Sequence, residues 1–291
     1  METVDILKRV RKIEIKTKGL SNQIFSGEYH AAFKGRGMAF SEVREYQMGD
    51  EIRDIDWNVT ARLNAPYVKV FEEERELSVM FLVDLSASSQ FGTQQALKRH
   101  VMTELMAVLA FSAAQNNDKI GAIFFSDQIE KFIPPKKGRS HILRIIREMI
   151  DFKPEHHKTD LGHALEYLSR VIKKRSIAFL LSDFKSEPFE KPLKIVARKH
   201  DVIALNIEDP AEAALPDVGF APLLDQETGE VIWTDTSSKK VRQNYLEKEQ
   251  QRKTALSKLF MLSGTDHTTI STTADYVKPL MNLFKQREFK K

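Results

Sequence analysis

The stretch Glu76–Ser89, ELSVMFLVDLSASS, sets the architecture. Val79 to Val83 is an apolar run rich in β-branched and aromatic residues, which reads as a buried strand. It ends abruptly in one acid and three hydroxyls. Asp84, Ser86 and Ser88 then fall at alternate positions of the loop that leaves the strand's carboxyl end. A tight loop turns such alternate side chains toward one point. One carboxylate, two hydroxyls and water form a hard oxygen set suited to a divalent ion such as magnesium. The same Asp-x-Ser-x-Ser pattern also reads as a plain N-cap for the next helix.

Downstream of this strand the chain alternates between helix and strand. Gln94 to Ala114 has the apolar periodicity of a buried crossover helix. Ile120 to Phe125 reads as a strand, with Gly121 and Ala122 allowing close approach of a helix. Gln128 to Ile133 reads as a short return strand stopped by Pro134-Pro135. Helices are expected over Gly138–Ile150, from Thr159 or Asp160 to about Val171, and over Leu193–Arg198. Ser176 to Leu181 and Asp201 to Ile207 are further strands.

Two short runs, 221–224 and 231–233, read as a hairpin at the edge of the sheet. Ser237 to about Ser263 is a charged helix with Tyr245, Leu246, Leu256, Leu259 and Phe260 facing inward. Asp266 to Ile270 is a last strand, and Thr273 to Lys285 a closing helix with Tyr276, Leu280, Met281 and Phe284 as its stripe. Lys285 to Lys291 is a basic tail.

This rhythm predicts a three-layer α/β unit with a mainly parallel sheet over residues 77–291. In such a sheet the carboxyl ends of the strands share one edge, where ligands bind. The strand ending at Ser182-Asp183 presents a second acid there, and Thr159 opens a helix at the same level. Asp84, Ser86, Ser88, Thr159 and Asp183 are therefore expected to converge, which raises a metal site above the capping reading.

Residues 1–76 are too rich in strands and turns for that rhythm and read as a β-rich attachment. Thr3 to Val10 fits a short amphipathic helix, Lys12 to Lys16 an extended arm, and Phe40 to Tyr46 and Tyr67 to Phe71 strands. DEIRDIDWNVTAR, Asp50 to Arg62, alternates charges with Ile52, Ile55 and Trp57, so Trp57 is expected to anchor the segment. Asp50, Arg53, Asp56 and Arg62 form either a surface ion-pair mesh, or a set in which Arg53 and Arg62 bind or orient a partner near the Asp84 loop.

Composition sets the outer limits. With 42% hydrophobic and 30% charged residues, the 291-residue chain is of ordinary globular type. It has no cysteine, which excludes disulfides, zinc-thiolate sites and cysteine nucleophiles and is compatible with a reducing cytoplasm. The first residues have neither a secretory hydrophobic core nor a span, and no later stretch is long enough to cross a bilayer. A net charge of +4 does not by itself argue for nucleic acid.

Taken together, these motifs resemble two known patterns. Asp84-Leu85-Ser86-Ala87-Ser88, Thr159 before Gly162-His163-Ala164-Leu165, and Ser182-Asp183 resemble the metal-ion-dependent adhesion site (MIDAS) of von Willebrand factor type A domains. Arg44-Glu45-Tyr46, Gly49-Asp50, Arg53-Asp54-Ile55-Asp56-Trp57 and Ala61-Arg62 resemble the signature of the bacterial DUF58 family, which couples that region to such a domain.

The resemblance implies magnesium or manganese held directly by Ser86 and Ser88 and often by Thr159. Asp84 and Asp183 would act through water or hydrogen bonds, and an open coordination position would accept a partner's carboxylate. Phe184 stands where many adhesion domains have glycine. The resemblance further implies an adaptor or assembly role beside a MoxR-type AAA+ ATPase.

Two other functions are compatible with the residues. A metal-dependent hydrolase or phosphatase would use Asp84 as nucleophile, but the sequence implies no convincing general base beside it: His156 and His157 are adjacent loop histidines of the ordinarily solvated kind, and His163 lies within a helix where it would pack or cap locally. A structural or nucleic-acid-binding module would use the basic residues of the last helices, which acidic residues interrupt.

Overall fold

In the computed structural model, the structure describes residues 39–72, 77–92, 97–224 and 229–289. The expected helix over Thr3–Val10 and the arm over Lys12–Lys16 lie outside them. The chain divides into two compact units, one within 33–76 and the other containing everything described from Leu77 onward.

The smaller unit is built on β1 (Ala39–Glu45) paired antiparallel with β2 (Tyr67–Glu72). Between them the Asp50–Arg62 segment is not a charged loop. It forms a single 3-10 turn, Ile52–Asp54, and then helix α1 (Trp57–Leu63). Asp56 caps α1, its Oδ1 accepting from the amides of Asn58 at 3.0 Å and Val59 at 3.3 Å. Asn64 closes the helix in the left-handed conformation.

The expected mesh resolves into separate local pairs. Arg44 grips Asp50 through two bonds of 2.8 Å, Arg53 pairs with Glu51, and Asp56 lies 3.5 Å from Lys69. Each acid was already claimed by a nearer cap or cation. Trp57 is two-thirds exposed rather than an anchor.

The larger unit is a six-stranded sheet. Its strands are β3 (Ser78–Asp84), β4 (Lys119–Phe125), β5 (Ile129–Lys136), β6 (Ile177–Ser182), β7 (Asp201–Glu208) and, after a separate hairpin of β8 (Phe220–Leu224) and β9 (Val231–Asp235), β10 (Asp266–Ser271). The order is β10-β7-β6-β3-β4-β5, parallel throughout except for β5, which returns antiparallel to β4. β3 is central and its residues from Val79 to Asp84 are all buried. That explains a run with no polar alternation.

Helices α2 (Lys98–Gln115), α3 (Arg139–Asp151), α4 (Leu161–Val171), α5 (Glu190–Lys199), α6 (Lys239–Ser263) and α7 (Val277–Phe289) complete the unit. Met80 and Leu82 of β3 join Leu165 and Leu168 of α4, Leu193 and Val196 of α5 and Phe260 of α6 in one core. Alternation sends Val79, Phe81 and Val83 to the opposite face, where Phe81 stacks on Phe179 with centroids 5.4 Å apart. No helix among the described residues is long and apolar enough to cross a membrane.

Five expectations need correction. β5 runs through Pro134-Pro135 to Lys136, because it is an edge strand that needs no donor on its open side. What comes close to Gly121 is the backbone of β5 at Ile133 and Pro135, together with the Met80 sulfur, and not a helix. The β8–β9 hairpin is a two-stranded sheet of its own, with Phe220, Leu224, Val231, Ile232 and Trp233 exposed. Leu246 faces outward on α6. The basic tail also begins later than expected, since Arg287 is buried on α7 and bonds Asp201 and Asp266, each at 2.5 Å.

Candidate metal centre

The end of β3 and the end of β6 lie side by side in the sheet, so Asp84 and Ser182-Asp183 emerge together. Ser182 Oγ donates to Asp84 Oδ2 at 2.5 Å, and the Ser86 amide donates to Asp84 Oδ1 at 3.0 Å. The carboxylate thus folds the loop back on itself, which brings Ser86 Oγ within 3.1 Å of Ser88 Oγ. Both oxygens of Asp84 accept protein hydrogen bonds, so it is poorly placed as a nucleophile.

The third loop joins from α4. The Ala87 amide donates to His157 O at 2.9 Å, and Ser186 Oγ, just beyond β6, donates to Thr159 O at 3.1 Å while accepting from the Leu161 amide at 3.2 Å. Capping of α4 falls to Asp160, whose Oδ1 accepts from the His163 amide at 2.8 Å. Thr159 is thereby left in the loop rather than spent as the cap. The Asp84, Thr159 and Asp183 loops are bonded to one another, and Asp84, Ser86, Thr159 and Asp183 are at most 4% exposed. Ser88 is partly exposed and is the one of the five that reaches the surface.

Electrostatics divides the two acids. Burial, and then the charge of Asp183, push the Asp84 carboxyl up to about 7. Asp183 moves the other way: burial alone would raise it, but the Lys98 ammonium 2.8 Å away and Lys185 hold it below the usual carboxylate range. Lys98 is itself fully buried and also bonds Glu212 at 2.6 Å.

Lys98 and Glu212 were not singled out from the sequence. The signal was present, since Lys98 sits on the same helical stripe as Val101, Met102 and Leu105. A lysine on a buried face needs a carboxylate partner.

The donors fit a small hard cation. Ligands about 2.1 Å from magnesium in an octahedron lie about 3.0 Å apart along an edge, and the two serine oxygens are 3.1 Å apart. Among the described residues, no cluster of three His, Asp or Glu side chains could hold a metal without the hydroxyls. When bound, the ion would supply an electrophilic position for an oxygen ligand from another molecule.

Of the other candidates, His157 meets the Asp84 loop through its backbone carbonyl, which accepts from the Ala87 amide. Arg53 and Arg62 belong to the smaller unit, Arg53 paired with Glu51 and Arg62 exposed on α1. His156 lies 3.4 Å from Asp127 and His157 is exposed. Several of the basic residues near the C-terminus are engaged by acids: Arg242 with Asp217, Arg252 with Glu249 and Lys253 with Glu208.

The family model described as protein of unknown function DUF58 matches residues 42–255. The chain belongs to the DUF58 family. An uncharacterized protein of Mycobacterium bovis is 33% identical to this DUF58 chain over 226 residues, covering 76% of it and 71% of the relative. An uncharacterized Mycobacterium tuberculosis protein matches to the same extent.

Solved structures that resemble it include the conserved hypothetical protein BatB from Bacteroides thetaiotaomicron, with a TM-score of 0.48 at 17% identity, covering 72% of this chain and 98% of that one. The SpRpn10 VWA domain has a TM-score of 0.39 at 13% identity and covers 73% of this chain and 95% of that one. A mussel byssus protein, proximal thread matrix protein 1 with a zinc-occupied MIDAS motif, has a TM-score of 0.40 at 17% identity, covering 73% and 47%. The larger unit of the DUF58 chain is an α/β unit built on the mostly parallel β10-β7-β6-β3-β4-β5 sheet.

Proposed function

We infer that this protein is a metal-dependent protein-binding module in which Ser86, Ser88 and Thr159 hold magnesium or manganese, with Asp84 and Asp183 behind them. The observation that carries the reading is the Ser86–Ser88 oxygen pair at 3.1 Å, closed onto a buried Asp84 that pairs with no side-chain cation among the described residues. A carboxylate brought by a partner would approach past Ser88 and complete the ion's shell. Arg53 and Arg62 would orient that partner from the smaller unit. From the family resemblance the partner is a MoxR-type AAA+ ATPase in the cytoplasm, which this chain would serve as an adaptor or assembly factor.

The test is titration of the purified chain with magnesium and manganese, followed by mixing with a purified MoxR-type ATPase with and without chelator. The wild type should bind one ion, and the complex should dissociate when the ion is removed. Ser86→Ala with Ser88→Ala should abolish both while the thermal transition remains cooperative. Full affinity in that double variant sinks the metal mechanism, and a complex indifferent to chelator sinks its use in binding.

A further inference from the structure

Two buried acids end two adjacent strands, and they are neutralised differently. Asp183 has a cation of its own, the Lys98 ammonium at 2.8 Å. Among the described residues Asp84 has only neutral donors, the Ser86 amide and hydroxyl and the Ser182 hydroxyl. A lysine stem long enough to reach water instead points inward, because its ammonium is bonded by two carboxylates at once, Asp183 and Glu212.

Glu212 is in turn fixed from outside. Its Oε1 lies 2.9 Å from Lys185 Nζ, and its carbonyl accepts from Tyr245 Oη at 3.0 Å. Arg252 reaches the carbonyl of Asp183 at 3.4 Å. Lys98 therefore cannot swing away without leaving the buried Asp183 without this cation and Glu212 with Lys185 alone.

We propose that Lys98 is the tethered counter-cation of the metal site, taking Asp183 for itself, leaving the Asp84 side to the divalent ion, and so setting how tightly that ion is held. The inference rests on the metal reading above. A positive charge bonded to one of the site's two acids opposes a second cation through an interior of low dielectric. It also holds one of the two acids behind the site in a bond of its own. Glu212 acts with the opposite sign, since its charge offsets part of Lys98's. The site is thus built for an exchangeable ion rather than a permanent one.

The two charges give a paired test on the full chain, read by calorimetric titration with magnesium and by thermal melts with and without it. Lys98→Met keeps the stem and removes the charge. It should bind magnesium at least tenfold more tightly, melt lower in chelator and regain its transition when magnesium is added. Glu212→Gln, at a partly exposed side chain with less risk to folding, should bind at least threefold more weakly.

Unchanged or weaker binding by a folded Lys98→Met protein overturns the proposal, as does unchanged affinity in Glu212→Gln. If Lys98→Met fails to fold, the Glu212→Gln result decides alone. Should the wild type bind and neither variant differ, the metal reading stands and the role of Lys98 falls. Binding by Lys98→Met alone supports the counter-cation and removes the metal from the native protein. No binding in any of the three overturns both.

Discussion

Ser182 Oγ donates to Asp84 Oδ2 at 2.5 Å while accepting from the Phe184 amide at 2.9 Å, so one buried hydroxyl ties together strand ends 98 positions apart. Removing it leaves a buried carboxylate oxygen and a buried amide without that partner. Ser182→Ala should therefore destabilise the fold by about 1–3 kcal/mol. Chemical denaturation should show a lower midpoint with an unchanged slope, and a loss of less than a few tenths would mean that water replaces the hydroxyl.

Gly121 lies where β4 meets the edge strand β5. A Cβ there would come 2.8 Å from Ile133 O and Met80 Sδ and 2.9 Å from Pro135 N. Two of those atoms are backbone and cannot rotate away. Gly121→Ala should cost about 1–3 kcal/mol by overpacking. Hydrogen exchange should accelerate first in β5, since its pairing with β4 is the one that must open. Equal loss of protection across the sheet would contradict this local origin.

The parallel sheet was legible because β3, β4, β6 and β7 are buried on both faces, which the sequence writes as unbroken apolar runs such as Val79–Val83. The convergence of Asp84 with Ser182-Asp183 was legible for the same reason, as adjacent parallel strands end at one level. α1 was hidden because Asp56, Asn58, Thr60 and Arg62 give a short helix no apolar stripe, and only its Asp56 cap could have marked it. Lys98 was passed over because a single charge at the start of an apolar helix reads as solvated until its partners, Asp183 and Glu212, are known to face it across 85 and 114 positions. Its place on the stripe of Val101 and Leu105 was the available sign.

Phe184 shows how a departure from the adhesion-domain pattern is accommodated. Its φ of 55° is the left-handed conformation that glycine adopts without penalty. The ring offsets that strain by packing edge-on to Phe260, with centroids 5.0 Å apart, and beside Phe189. Emptying a phenylalanine site costs about 3–5 kcal/mol, whereas relieving the backbone returns only about 1–2 kcal/mol. Phe184→Gly should therefore lose about 1–4 kcal/mol of stability while leaving unchanged the magnesium affinity proposed for the Asp84 loop. A stabilised glycine variant would show that the ring contributes little.

His200 should make the fold sensitive to mild acid. It is buried, its Nδ1 accepts from the Ser176 amide at 3.3 Å, and its Nε2 has no hydrogen-bond partner among the described residues. Burial first, then the charges of Lys199 and Arg175, lower its pKa to about 4. The unfolded chain takes up this proton near pH 6.5 and the folded protein only near 4, so the unfolded state binds more protons throughout that window. Stability from this group is complete above about pH 6.5 and falls as the pH drops toward 4, by at most about 3 kcal/mol. Carboxylates titrate over the same range, so the measurement is the difference between wild-type and His200→Gln unfolding free energies as a function of pH. That difference should shrink on acidification from pH 7 to 4.5, and a difference that stays flat would show that His200 is protonated as readily in the fold as out of it.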